Sequence, residues 1–459
     1  MKSLILLGFF GCLYFASARL TTEEVEWLDF AIQHQNNASF QTLWKKKVKS
    51  YKEATVDIPE FKCNVGPIGD KPTSVHKLKP GDINVVAAFG DSITAGNGAD
   101  ADNLLEVILN ARGHSWSIGG MESLEKILTI PNILKKFNPN LKGYSTDTSD
   151  EDDPEAGMNV ARMGARATHL PNQADKMIDR LKTTSDIDFE NDWKLITLFI
   201  GGNDLCGYCR DRPNRSPEKF AEHIKNTLDK LHQQVPKALV QVVSMFDVTP
   251  VRHLSADWIC DLLQERFCSC ARNSDTRPEL RPVQLGYHLR VDELISSGRY
   301  DTRDDFTVVV QPHMRDLVPP RLPNGEYDKS FFSPDCFHPG RKGHAGFALG
   351  LWNIMLTKEK PYEISIEDTQ DFRCPTEQEP YIFTRLNSDP SISIKAAVPD
   401  NESTTKVNNK LRVGLSVTVG LMGVALIAIA AVYAYKRQKQ PKQTEKENNS
   451  KDNPVFQAA

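Results

Sequence analysis

The chain has 459 residues, a quarter of them charged, with a formal net charge of −4 and a pI near 6.3. That length exceeds one average domain but admits a single large α/β domain with appendages. The small net charge, with no lysine or arginine cluster on a predicted folded element, excludes a nucleic-acid footprint.

Lys2, the apolar run Leu4 to Phe15 and the small residues Ala16 and Ala18 predict a signal peptide over 1–18. Thr21-Thr22-Glu23-Glu24 matches a capping box, and Val25, Leu28 and Ile32 follow at helical spacing, so 19–59 reads as an N-terminal helical extension. Asn84 to Phe89 is the first expected strand. Three more continuous apolar runs follow at 193–200, 238–245 and 306–310, as suits strands covered on both faces. Helical periodicity appears between them at 173–181, 217–235 and 256–266. This alternation predicts a mostly parallel sheet in a three-layer α/β domain over 60–375. Tyr144 to Glu155, rich in aspartate and glutamate, reads as a solvated insertion.

Beyond Cys374 the composition turns polar and loses periodicity, so 376–412 reads as a stalk. Val413 to Tyr435 holds 23 residues without a charge, enough to cross a hydrocarbon core of about 30 Å as a transmembrane helix. Lys436, Arg437, Lys439 and Lys442 follow and would keep the tail, 436–459, in the cytoplasm. The expected layout is a single-pass type I protein of the plasma membrane with its folded domain outside. Asn37, Asn214 and Asn401 head glycan-acceptor triplets on that outer side.

Eight of the nine cysteines remain after the predicted leader, an even set that implies four disulfides in an oxidising compartment. Cys63 and Cys374, which flank the domain, are the expected pair. Cys206-x-x-Cys209 with Cys268-x-Cys270 has the alternative reading of a zinc site.

Three stretches carry chemistry. Gly90-Asp91-Ser92 follows the first strand, and Ser92 would stand in the crevice beyond the strand ends, where open α/β sheets bind ligands. A serine hydroxyl needs a base, and Asp335-x-x-His338 provides a carboxylate spaced to orient an imidazole. Gly201-Gly202-Asn203-Asp204, after the second apolar run, lets the backbone approach a ligand and offers a side-chain N–H to a developing oxyanion.

These blocks, in order and with Gly164 within Asn159 to Ala167, resemble the GDSL or SGNH hydrolases. The longer wording, Asp91 to Gly98, Ser115 to Gly120 and Asp335 to Pro339, resembles the phospholipase B type within that family, although that type carries tandem hydrolase units and this chain has one. The resemblance implies a flavodoxin-like α/β/α sandwich. It implies Ser92 as nucleophile, His338 as base, Asp335 as its orienting acid, and an oxyanion hole of the Ser92 N–H, the Gly164 N–H and the Asn203 side chain. No metal or cofactor is implied. The expected activity is cleavage of acyl esters of phospholipids and lysophospholipids at the cell surface. An esterase for short-chain or carbohydrate acyl esters, and a silent adhesion scaffold, are the alternatives.

Overall fold

The computed structural model describes residues 56–66, 71–104, 106–255, 257–361 and 371–389, with a few isolated residues between 25 and 42. The predicted leader, most of the helical extension, Asn401, the span and the tail lie outside the described residues. Val25, Asp29, Ala38, Ser39 and Thr42 are helical.

The four apolar runs pair side by side, all parallel: β1 (Val85–Gly90), β2 (Lys194–Phe199), β3 (Ala238–Val243) and β4 (Phe306–Gln311). They run in register, with Val85 opposite Lys194, Lys194 opposite Ala238 and Ala238 opposite Phe306. Nearly every residue of the four strands is buried, which is why they read as continuous rather than alternating runs. Lys194 is the one charged residue of the four strands; its ammonium donates to the Asp192 and Pro236 carbonyls where β2 begins.

A fifth position, on the other side of β1, is filled by irregular chain. Val86 N–H donates to the Lys142 carbonyl, Ala88 N–H to Met158, and Val160 N–H returns to Ala88. The acidic stretch 144–155 lies in the chain between these edge residues, and Asp147, Asp150, Asp152 and Glu155 are exposed, as expected of a solvated insertion. Two of its acids are paired, Glu151 with Lys176 and Arg162 and Asp152 with Lys176, and Arg180 donates to the Gly157 carbonyl behind it. The chain leaves β1 toward this edge and then returns past it to β2. The reversal opens a crevice at the carboxyl ends of β1 and β2.

The helices needed below are α1 (Ser92–Ala95), α2 (Ile130–Phe137), α3 (Leu170–Thr183), α4 (Gly202–Cys206), α5 (Pro217–Gln234), α6 (Trp258–Phe267), α7 (Ser269–Arg272), α8 (Arg277–Ser296) and α9 (Arg341–Met355). Helices α3, α5 and α8 pack side by side, with α3 against β1 and α8 against β4. α9 packs on β4 and α2, completing the opposite layer. Helix α5 shows why its residues form it: Ser216 caps the Lys219 N–H, Pro217 opens the first turn, and Phe220, Ile224, Leu228 and Leu231 form the buried stripe. Its Phe220 stacks on Tyr287 of α8 at 4.0 Å. On the other face Trp116 meets Phe199 edge-on at 5.4 Å, and Phe137 stacks on Trp352.

Helix α2 bears Ile130, Ile133, Leu134 and Phe137 at helical spacing and was simply missed, whereas α8 and α9 were not legible from periodicity. Pro278 opens the first turn of α8 and Pro282 stands inside it, and its buried face includes Gln284 and His288. α9 is buried almost all round and so has no polar stripe. The folded unit also continues past the end expected at 375. Ile382 N–H donates to the Leu78 carbonyl and Phe383 N–H to Met355, while Asn387 donates to the His76 carbonyl. Residues 381–387, expected in the stalk, are thus packed onto the domain.

Candidate active site

Ser92 begins α1 directly after β1, and the turn that presents it is held from three sides. Gly90 has φ +156°, and a Cβ there would run into the Phe199 carbonyl of β2. Gln173 of α3 grips the Gly90 backbone twice, its Oε1 accepting from the N–H at 2.8 Å and its Nε2 donating to the carbonyl at 2.9 Å. Asp91 caps α1 by accepting from the Ile93 N–H at 3.1 Å. Burial pushes the Asp91 carboxyl up to about 7, against the Ile93 hydrogen bond and the nearby His338. Below the turn, the Thr94 carbonyl accepts from Ser115 Oγ and Asn159 Nδ2. Arg112, itself buried, donates to the Ser149, Asn159 and Ala161 carbonyls.

His338 comes from the loop before α9, 246 residues further along the chain, and its Nε2 lies 2.9 Å from Ser92 Oγ. Its Nδ1 is 2.6 Å from Asp335 Oδ2. The other Asp335 oxygen accepts from the Ser333 hydroxyl and from the Phe337 and His338 N–H groups. Burial alone would raise the Asp335 carboxyl, but the His338 ring and these donors outweigh it and hold the group below the usual carboxylate range. With Nδ1–H committed to the carboxylate, Nε2 presents its lone pair to the serine proton. Gly98, at φ +80°, lets its loop lie against Ser333 and His338; a Cβ there would come within 2.8 Å of Ser333.

Asn203 sits in α4 just beyond β2, and its Nδ2 donates to the Ala165 carbonyl at 2.9 Å. Gly164, at φ +71°, lies in the adjoining loop. That loop is tied at both sides, Arg162 N–H donating to the Gly90 carbonyl and Ala165 accepting from Asn203. Among the described residues neither the Ser92 N–H nor the Gly164 N–H has a protein acceptor. Two backbone donors and one amide N–H therefore border the strand ends with capacity left for an oxygen anion. Gly164 does not itself line the cavity beside Ser92.

That cleft opens to solvent, and about 820 Å³ of free space lies within and at its mouth. Ser92, Asn203 and His338 border it, and Phe246, Val251, Leu254, Leu317, Phe331 and Phe347 make most of the remaining wall. It is thus an apolar cleft with the hydrogen-bonded array Ser92–His338–Asp335 at one side.

Three disulfides converge on α6 and α7. Cys260 joins Cys336 of the histidine loop, Cys268 joins Cys206 at the end of α4, and Cys270 joins Cys209. All four sulfurs offered to zinc are consumed in disulfides, which overturns that reading. The fourth disulfide, Cys63–Cys374, closes the domain's ends. Among the described residues no cluster of metal-ligating side chains occurs. The acceptor Asn37 is exposed, as is Asn214, whose amide nitrogen rests on Asp211 at 3.1 Å.

The sequence profile described as GDSL-like lipase/acylhydrolase matches residues 86–351. The chain belongs to the GDSL-like lipase/acylhydrolase family. Membrane-associated phospholipase B1 of Mus musculus is 43% identical over 341 residues, covering 72% of this chain and 23% of its own length. The protein of the same name from Rattus norvegicus is 40% identical over 407 residues, covering 84% of this chain and 28% of its own length, and that from Homo sapiens is 42% identical over 341 residues. The chain thus spans about a quarter of the length of these curated relatives. A crystal structure of phospholipase A1 from Streptomyces albidoflavus aligns at 14% identity over 59% of this chain and 98% of its own, with a TM-score of 0.26.

Within this GDSL domain several supporting residues had no signal in the sequence. Gln173 lies on the buried stripe of a helix and reads there as a misplaced polar residue. His344 was also missed: its Nδ1 accepts from the Trp116 N–H at 3.2 Å, and burial pushes it down to about 3. A neutral His344 thereby holds the segment whose Ser115 props α1.

Proposed function

We propose that this chain is a cell-surface serine ester hydrolase that cleaves acyl esters of phospholipids and lysophospholipids through an acyl-enzyme on Ser92. The observation that carries the reading is the unbroken relay from Asp335 through His338 to Ser92 at the mouth of an apolar cleft. Family membership and the lipid-cleaving names of the relatives support the same class of chemistry.

In this mechanism His338 Nε2 takes the Ser92 proton while Oγ bonds to the ester's acyl carbon. Asp335 steadies the resulting imidazolium. The carbonyl oxygen, now an anion, is met by the Ser92 and Gly164 N–H groups and the Asn203 amide. When the intermediate collapses the carbon–oxygen ester bond breaks, and His338 returns its proton to the departing alcohol. A water deprotonated by His338 then attacks the acyl-enzyme and frees the fatty acid. An apolar wall suits an acyl chain better than a sugar, which supports the lipid reading over the carbohydrate one.

The leader at 1–18, the apolar run at 413–435 with basic residues after it, and four disulfides support a type I anchor with the catalytic domain outside the cell. The deciding experiment treats the full chain with a fluorophosphonate probe and with a phospholipid bearing two different acyl chains. Covalent labelling at Ser92, release of fatty acid, and loss of both in Ser92→Ala are expected. An unlabelled Ser92 together with undiminished hydrolysis in Ser92→Ala rejects the mechanism.

A further inference from the structure

The mechanism leaves one charged group of the cleft unused. Asp247 lines the same cavity as Ser92 and His338, half-buried, two residues beyond Met245. Its position is fixed. The Met245 carbonyl accepts from Gln284 Nε2 at 2.8 Å and His288 Nε2 at 2.9 Å, both on α8. The Asp247 oxygens accept only from Thr249, one from its N–H at 2.8 Å and one from its hydroxyl at 2.9 Å. Among the described residues it has no cationic partner, and no lysine or arginine lines the cavity. The other acid on the wall, Asp91, is spent on capping α1 and is only 2% exposed.

The two neutral donors of Thr249 offset only part of the cost of half-burying the Asp247 carboxylate, since no opposite charge lines the cleft. A cation brought by a ligand offsets that cost. The cleft that Asp247 lines is rich in phenylalanine, with Phe246 next in sequence and Phe331, Phe332, Phe337 and Phe347 in the same wall. Aromatic faces with a single acid are how proteins hold alkylammonium groups, whose charge is spread over carbon-bound hydrogens.

We propose that Asp247 and the surrounding phenylalanines form a headgroup subsite for an alkylammonium ion, so that the cleft selects ester lipids whose headgroup ends in a positive charge over those ending in a neutral polyol. This rests on the ester hydrolase reading above and specifies its substrate class. The bland account of Asp247 is a turn residue that serves only Thr249. Asparagine keeps that turn, because its Oδ1 still accepts from the Thr249 N–H, and removes the charge.

The test compares kcat/KM of the full chain, in nonionic mixed micelles, for phosphatidylcholine and phosphatidylglycerol with the same acyl chains. Wild type should prefer the choline lipid, and the ratio should fall about tenfold in Asp247→Asn. Any general loss from misfolding cancels in that ratio. On the wild-type protein, decyltrimethylammonium should inhibit turnover of a short aryl ester at lower concentration than decyl sulfate. An unchanged ratio in the variant, or equal potency of the two amphiphiles, overturns the subsite while leaving the hydrolase reading intact. If wild type cleaves no ester and takes no fluorophosphonate label, the hydrolase reading fails and the subsite falls with it.

Discussion

Cys336, placed between Asp335 and His338 in chain order, is bonded to Cys260 of α6, so the loop that delivers the base is covalently tied to a helix outside the sheet. The same helical pair ties α4, which carries Asn203, through Cys206–Cys268. Gln264 adds a hydrogen bond to the Cys336 carbonyl at 2.9 Å. The unit α6–α7 is therefore a common anchor for two parts of the site that approach Ser92 from different directions.

Cutting that anchor should loosen the base more than the nucleophile. Replacing both Cys260 and Cys336 by alanine should lower stability by about 2–4 kcal/mol. It should also lower kcat, because Nε2 loses its fixed distance from Ser92. Chemical denaturation and steady-state kinetics check the two effects, and wild-type kcat in the double variant would show that the loop holds its geometry unaided.

The tautomer argument makes Asp335 the sharpest probe of the relay. Asp335→Asn keeps the size of the side chain but favours the wrong imidazole tautomer, so kcat should fall by about 10⁴-fold. The fold should survive, as read by circular dichroism. A loss below tenfold would mean that His338 is oriented by something else.

Asn203 tests the anion side. Asn203→Ala should cost about 10²- to 10³-fold in kcat with little change in KM, since an oxyanion donor acts in the transition state. A rise in KM alone would assign the residue to substrate binding.

Gln173 tests the architecture behind the nucleophile. Gln173→Ala leaves the Gly90 N–H and carbonyl without their buried partners, at about 2–3 kcal/mol of stability by urea denaturation. Gln173→Glu should be worse than a neutral swap, because a carboxylate cannot donate to the Gly90 carbonyl.

Asp91 gives a pH dependence of defined sign. Its carboxyl is raised in the folded chain to about 7, so between about pH 4 and pH 7 the folded state binds more protons at this site than the unfolded state. Its contribution to stability is therefore greatest at acid pH and is lost as the pH rises toward and past 7. Asp91→Asn keeps an acceptor for the Ile93 N–H and removes the titration. Relative to wild type it should gain stability on the order of a few kcal/mol from pH 5 to pH 8, followed by thermal unfolding. A constant difference across that range would contradict the assignment.

Much of this protein was legible in the chain. The four strands stand where the apolar runs predicted them, because a strand buried on both faces leaves its mark in consecutive residues. Ser92 and the Asp335-to-His338 spacing were legible for a related reason: a strand end and a tight turn are local, and their chemistry is written within a few positions. What failed was whatever depends on distant chain. The sheet's fifth position, at 142 and 158–160, has no apolar run because only isolated bridges form it. Cys63 with Cys374 was legible as the pair that flanks the domain, but the pairing of the other six cysteines, the grip of Gln173 on Gly90 and the place of Asp247 in an apolar wall were decided by tertiary structure alone. Each is a relation between side chains tens to hundreds of residues apart, set by how layers pack, and no periodicity along the chain encodes such a distance.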